Sequence, residues 1–440
     1  LPHPGLAPGR MINTRGLALD QAPPFPIPAR FFLTAPLFAI LAGLLLVWEG
    51  PALLASRWMP AALAAVHLIT LGYLGQAMSG ALLQLLPVVV GAPVPAVRWV
   101  GTLTHAGLAL GALSLAWGLG GGGTLALGMG AGASALALLI LVIPVSLALA
   151  RSRGDPGTRR ALRAAALGLV MTVILGLVLT GALFGWVRLA EFNPWLDAHA
   201  TWGLLGWVGM LILGVAIQVI PLFYLTSPYP RFARFWLAPL LLIGIGLGSL
   251  AGILGWDLGA RLSLGATALG FVSFALLTLG FLIKRGRRRL DPTLLHWWSA
   301  LLALVGAALA WALGAPPTLI GVLLLVGVGL GLPAGMLFKI MPFLAWFHLQ
   351  HRQVTSGRFD LRLPHMGTLL PILWARVQFG LHLLALILMM GAVFIPELAR
   401  PAGLALALSA LVLEGLLVGV MRAYWRTSLA LGSPRPTGAG

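Results

Sequence analysis

Twelve apolar runs, each closed by proline, glycine or charge, follow one another along this chain: near 31–49, 59–87, 95–118, 124–150, 161–187, 197–224, 235–255, 259–283, 293–313, 317–347, 368–394 and 401–423. Coiled as a helix, about 20 such residues cross the ~30 Å hydrocarbon core of a bilayer. Only 9% of the 440 residues are charged and 60% are hydrophobic, against about a quarter charged in a soluble domain. A soluble enzyme is excluded, and twelve spans with short loops leave no room for a separate soluble domain. The sequence therefore predicts an all-α polytopic membrane protein. A Pro-rich cytosolic tail at 1–30 precedes a single twelve-helix membrane domain at 31–425, and a cytosolic tail follows at 426–440. The N-terminal segment has no apolar core, so it reads as neither signal peptide nor span. Met11 opens a plausible start, with residues 1–10 as upstream read-through.

A formal charge of +18 in a soluble chain would suggest nucleic acid. Here its distribution gives a topology instead. With the N-terminus inside, 22 of the 28 Lys and Arg fall in inner segments, against Arg57, Arg188, Arg261 and Arg400 outside, while Lys339 and Arg376 lie within spans. That asymmetry over short loops predicts both termini on the cytoplasmic side. The densest runs, Arg151–Arg163 and Lys284–Arg289, suit anionic lipid headgroups. The predicted partner is the lipid bilayer, with no nucleic acid. Cysteine is absent, which excludes disulfides, iron–sulfur clusters and thiolate metal sites and leaves His, Met and carboxylates as ligands. No Walker loop, dinucleotide fingerprint, nucleophile elbow or His-Glu-x-x-His motif is present.

An internal repeat carries most of the remaining information. Gly80, Gln84 and Pro87 stand near the inner end of span 2, Gly214, Gln218 and Pro221 near that of span 6, and Gly335, Lys339 and Pro342 near that of span 10. A Gly and a polar residue four apart share a helix face, which suits close packing plus a cross-helix hydrogen bond, and the Pro is expected to end the helix. The recurrence every four spans predicts three pseudo-symmetric four-helix units, near 31–150, 160–285 and 290–425.

Ionisable residues at membrane depth are costly, so each is a candidate for function. His67 lies 20 residues before Pro87 and His199 lies 22 before Pro221, which puts two imidazoles at nearly one depth on repeat-equivalent helices. His105 on span 3 and His382 on span 11 form another related pair, His105 in the inner half and His382 nearer mid-membrane. Histidines on facing helices are how bundles hold heme or copper, yet each is equally read as a hydrogen-bonded packing residue. Lys339 stands where the other repeats place Gln84 and Gln218; it is expected to carry protons, hold an anion or snorkel to the interface. Glu414 in span 12 suits a proton relay, with His382 or Arg376 as candidate partners. His348 and His351, with His365 beyond the loop, have spacing compatible with a surface metal site and equally with a basic interfacial loop. Gln76, Met78, Met336, Met341, Met389 and Met390 suit either a copper path or ordinary lipid-embedded packing.

Twelve spans in three four-helix units, with a His on span 2 followed by a glycine-rich stretch and a Pro, resemble heme-copper oxidase subunit I. The opening RFFLTAPLF from Arg30, with HLITLGYLG from His67 and GALLQLLP ending at Pro87, is similar to the NnrS family, bacterial inner-membrane proteins of the nitric-oxide response. The stretch from Asp197 through Pro221 resembles uncharacterised proteobacterial membrane proteins. The resemblance implies that His67 matches the low-spin heme ligand of the oxidases and that His199 falls on the span supplying a copper ligand there. Span 10 lacks the paired heme histidines and span 7 the copper histidines, so no complete binuclear oxygen-reduction centre is expected. The resulting expectation is a bacterial inner-membrane protein holding heme b or copper through His67, with His199, His105 or His382 as second ligand. It would act in nitric-oxide response or respiratory metabolism beside respiratory-chain or cytochrome partners. The alternatives are a proton-coupled transporter or channel using Lys339, Glu414, Gln84 and Gln218, and an assembly subunit whose polar residues merely pack helices.

Overall fold

Proline and aspartate set where several helices begin. Pro stands in the first turn of the helices starting at Pro26, Pro60, Pro156, Pro292 and Pro317, where its missing N–H has no intrahelical partner to lose. Asp155 and Asp291 cap two of them, each carboxylate accepting a backbone N–H at 2.9 Å, from Thr158 and Leu294 respectively. The computed structural model describes residues 22–152 and 154–432. Most of the predicted N-terminal tail, including Met11, lies outside the described residues, as do Arg153 of the first basic run and the end of the C-terminal tail.

The described residues hold helices and no strand. The long ones are α1 (Pro26–Glu49), α2 (Pro60–Val88), α3 (Val97–Gly122), α4 (Thr124–Arg151), α5 (Pro156–Leu183), α6 (Asn193–Tyr224), α7 (Leu237–Ile253), α8 (Asp257–Ile283), α9 (Pro292–Ala312), α10 (Pro317–Ser356), α11 (Ile372–Ala392) and α12 (Pro396–Gly432). Eleven of these are long and apolar enough to cross a membrane; α7, of 17 residues, is apolar but shorter. Large apolar side chains such as Leu110, Leu136, Leu269 and Leu302 stand exposed on the outward faces, an arrangement that lipid tolerates and water does not. The protein is an all-helical, multi-pass membrane protein.

Burial separates three helices from the rest. The apolar windows of α2, α6 and α10 are 72%, 61% and 72% buried, against 33% to 56% for the other eight long helices. Those three form the interior. Around them the chain packs α1 with α12, α4 with α5 and α8 with α9, while α3–α4, α7–α8 and α11–α12 pair as neighbours. The closest approaches use glycine: a Cβ on Gly43 of α1 would come within 2.7 Å of the Ala407 nitrogen and the Gly403 oxygen of α12.

Each interior helix also carries an eight-residue π-helical stretch, Leu68–Gly75, Trp202–Gly209 and Leu323–Leu330. Each stretch ends five residues before the glycine of the sequence repeat. The first and second of these stretches both touch the third, and the Tyr73 hydroxyl donates to the Leu330 carbonyl at 3.1 Å, a use of backbone groups that π geometry leaves available. The repeat glycines lie against α1, α5 and α9: a Cβ at Gly80, Gly214 or Gly335 would meet Phe31 at 2.7 Å, Ala161 at 3.1 Å or His296 at 2.4 Å.

Two sequence expectations change. Pro87 and Pro221 lie in the last turn of their helices, close to the expected ends, but Pro342 lies well inside its helix; its ring removes one hydrogen bond, which neighbouring helices make tolerable. α10 runs on to Ser356 rather than stopping near 347, because no Gly or Pro interrupts residues 343–356, and it ends at Gly357 with φ +65°. At about 1.5 Å per residue its 40 residues reach ~60 Å, twice the hydrocarbon thickness.

Candidate functional site

His67 is the last residue before the π stretch of α2, and His199 stands three residues before that of α6. Their rings lie 6.4 Å apart, centroid to centroid, and within 19° of parallel. His67 donates from Nδ1 to the Leu63 carbonyl of its own helix at 2.8 Å, and His199 donates from Nδ1 to the Thr172 carbonyl of α5 at 3.0 Å. A carbonyl can only accept, so both imidazoles carry the proton on Nδ1 and keep the Nε2 lone pair free for a ligand. Gly176 lets this happen: a Cβ there would sit 3.0 Å from the His199 ring. Beyond the pair, toward the Arg-poor end, Arg57 pairs with Asp197 at 2.5 Å and lies over the Trp58 ring at 5.1 Å.

The other predicted ligands go elsewhere. His105 Nε2 is bonded to the Thr34 hydroxyl of α1 at 2.8 Å and its ring meets Phe31 edge-on; its carbonyl accepts from Gln76 Nε2. His382 stands beside His296 of α9, with ring centroids 5.1 Å apart. Of the three proposed second ligands, only His199 is beside His67. His348 stacks on Phe25 at 5.7 Å, and His365 caps a short helix by accepting from the Gly367 amide. Among the described residues no three His, Cys, Asp or Glu side chains gather as a metal cluster would.

Two of the repeat's three polar positions have side-chain partners, and these differ. Gln218 donates to the Thr158 hydroxyl at 2.9 Å. Lys339 is ion-paired with Asp291 at 2.8 Å, and its ammonium lies 4.6 Å from the centre of the Tyr224 ring and 5.2 Å from that of Phe223. The Gln84 Oε1 is buried without a hydrogen-bond partner. Glu414 bonds neither His382 nor Arg376, and its Oε2 is likewise buried without a partner. At the loop before α5, burial works to raise the Asp155 carboxyl, but the Thr158 amide and the Arg234 guanidinium outweigh it and hold that carboxyl below its ordinary value.

Sequence reading passed over His296, which is fully buried, and its hydrogen-bond chain through Gln378 to Ser409. The signal was present, since a histidine inside an apolar run at membrane depth needs a partner. It also passed over Asp291 as the partner of Lys339. No family model matches the chain, and no curated protein matches it.

Proposed function

We propose that this is a bacterial cytoplasmic-membrane protein of twelve spans, α7 included, with both termini on the cytoplasmic side and three pseudo-symmetric four-helix units resembling heme-copper oxidase subunit I and the NnrS proteins. The π stretches at one fixed distance from each repeat glycine support the threefold reading, as do the ring contacts α4–α5, α8–α9 and α12–α1. Its function is to hold a copper ion or a heme b iron between His67 and His199 in nitric-oxide response or respiratory metabolism, without a binuclear oxygen-reduction centre.

The observation that carries this reading is the pair of imidazoles with their tautomers fixed by Leu63 and Thr172. Two metal–nitrogen bonds of ~2.0 Å, with about 1 Å more from each nitrogen to its ring centre, span ~6 Å, close to the 6.4 Å between the rings. That ring separation supports a metal held by two imidazoles. Such a centre, when bound, would supply electron transfer or binding of a small gas. The chain's own part is to present two neutral Nε2 lone pairs and to stop ring rotation through the two carbonyls.

Visible spectra of oxidised and dithionite-reduced protein in detergent, with metal analysis of the same sample, test this. The expected result is a Soret band that falls at least tenfold, or a loss of about one copper ion per chain, in His67→Ala and in His199→Ala. Unchanged cofactor content in both variants would sink the assignment.

The second reading is a proton-coupled transporter or channel. It is favoured by the unpartnered Glu414 carboxylate and by the polar side chains Gln84, Gln218 and Lys339 on the three interior helices. Colourless, metal-free protein whose proton flux in liposomes is abolished by Glu414→Gln would establish it over the first.

A further inference from the structure

We propose that His296 of α9 and His382 of α11 form a separate, fully enclosed copper(I) site, closed on one side by Gly331 of α10. It does not depend on the His67–His199 reading and uses none of its residues. His296 is 0% exposed and His382 2%. Gln378 Nε2 donates to the Ser409 hydroxyl at 3.0 Å, which turns Gln378 Oε1 toward His296 Nε2 at 2.9 Å. An amide oxygen accepts, so His296 Nε2 carries the proton and Nδ1 is left as a lone pair. That Nδ1 is buried with no partner, and so is His382 Nε2. Two such nitrogens in one place are a costly arrangement unless something occupies the space between them.

Both nitrogens lie beside the same glycine. A Cβ on Gly331 would stand 3.0 Å from His382 Nε2 and 3.8 Å from His296 Nδ1. Only glycine leaves that space open. The two nitrogens make no hydrogen bond to each other, which separates this pair from two imidazoles sharing a proton. The surroundings select the occupant. No third His and no carboxylate joins the pair in a metal-binding group among the described residues, and the chain has no cysteine, so zinc and other ions that need four ligands are not served. Copper(I) is content with two nitrogen ligands, and imidazole suits copper; the ring centroids stand 5.1 Å apart, so the rings must part by about 1 Å on binding to reach the ~6 Å that two collinear metal–nitrogen bonds span. The Phe379 ring, edge-on to His296 at 5.0 Å, and the Phe338 ring at 5.8 Å give a singly charged ion an apolar, polarisable wall.

The test is copper per chain in protein purified under reducing conditions from copper-supplemented cells, with the His67→Ala/His199→Ala variant as background. The expected result is about one tightly held copper ion per chain in that background, with an X-ray absorption edge of a two-coordinate nitrogen site, as two ligand imidazoles require. Adding Gly331→Ala keeps both histidines and puts a methyl group into the space before them; copper is expected to fall to the blank. Adding His296→Leu/His382→Leu is expected to do the same. Size-exclusion profiles identify any variant that misfolds, and Gly331→Ala adds only one tight contact. Copper absent from the background protein, as when a water fills the gap, overturns this site while leaving the His67–His199 reading to its own test. Copper retained unchanged in both Gly331→Ala and His296→Leu/His382→Leu also overturns it.

Discussion

Lys339 and Asp291 join α10 to the start of α9 through an ion pair of 2.8 Å, with side chains 19% and 17% exposed. Removing one partner of a fully buried pair costs about 3–5 kcal/mol, because the other charge is left uncompensated. Here about a fifth of each side chain meets solvent, so Lys339→Met should cost ~2 kcal/mol. Asp291→Asn should cost about 1–2 kcal/mol: asparagine still caps α9 at the Leu294 amide, and the stranded ammonium keeps the Tyr224 and Phe223 rings, worth about 0.5–1 kcal/mol. The double variant leaves no uncompensated charge. It should therefore be more stable than the sum of the single losses predicts, by about 1–2 kcal/mol. Lys339→Gln, which installs the residue of the other two repeats, should cost less than Lys339→Met, since an amide can still donate to Asp291. Equilibrium unfolding in mixed micelles with rising SDS, followed by tryptophan fluorescence, measures all four. A coupling below about 0.5 kcal/mol would refute the reasoning and mark the pair as an interfacial contact of no net consequence.

Two further outcomes follow from the geometry. Gly43→Leu should separate α1 from α12, since even a Cβ would reach 2.7 Å from backbone atoms of Ala407 and Gly403; a loss of several kcal/mol is expected, read as aggregation on size-exclusion chromatography, and a monodisperse variant of unchanged stability would contradict the packing. Asp155 has its carboxyl held below the ordinary value of 3.8, so its contribution is present above that value and lost as pH falls through the lower folded-state value. The stability gap between wild type and Asp155→Asn should be constant from about pH 7 to pH 5 and close below about pH 3.8; a gap independent of pH down to the acid limit would contradict it.

The membrane-spanning character was legible because it depends on local quantities. Run length, the scarcity of charge and the recurrence of Gly, Gln or Lys, and Pro all lie along the chain, and each repeat glycine does pack closely against a neighbouring helix, at Phe31, Ala161 or His296. The neighbouring positions of His67 and His199, with rings 6.4 Å apart, were legible for the same reason, since count from the repeat proline gives position along a helix. Distance along a helix, however, says nothing about which way a side chain faces across the bundle. Thus His105 turned to Thr34, His382 to His296, and Lys339 to Asp291, none of which spacing could decide. The π stretches shift the facing of residues beyond them relative to an ordinary helix, so a count of 3.6 per turn carried through Leu68–Gly75 or Trp202–Gly209 fails. What the sequence by itself determined is the set of apolar helices and the position of their polar residues along them, because one-dimensional spacing and transfer from water to lipid suffice for both. Which of those residues meet was decided by the tertiary structure alone, since it depends on helix rotation and crossing, and these are set by glycine contacts between segments far apart in the chain.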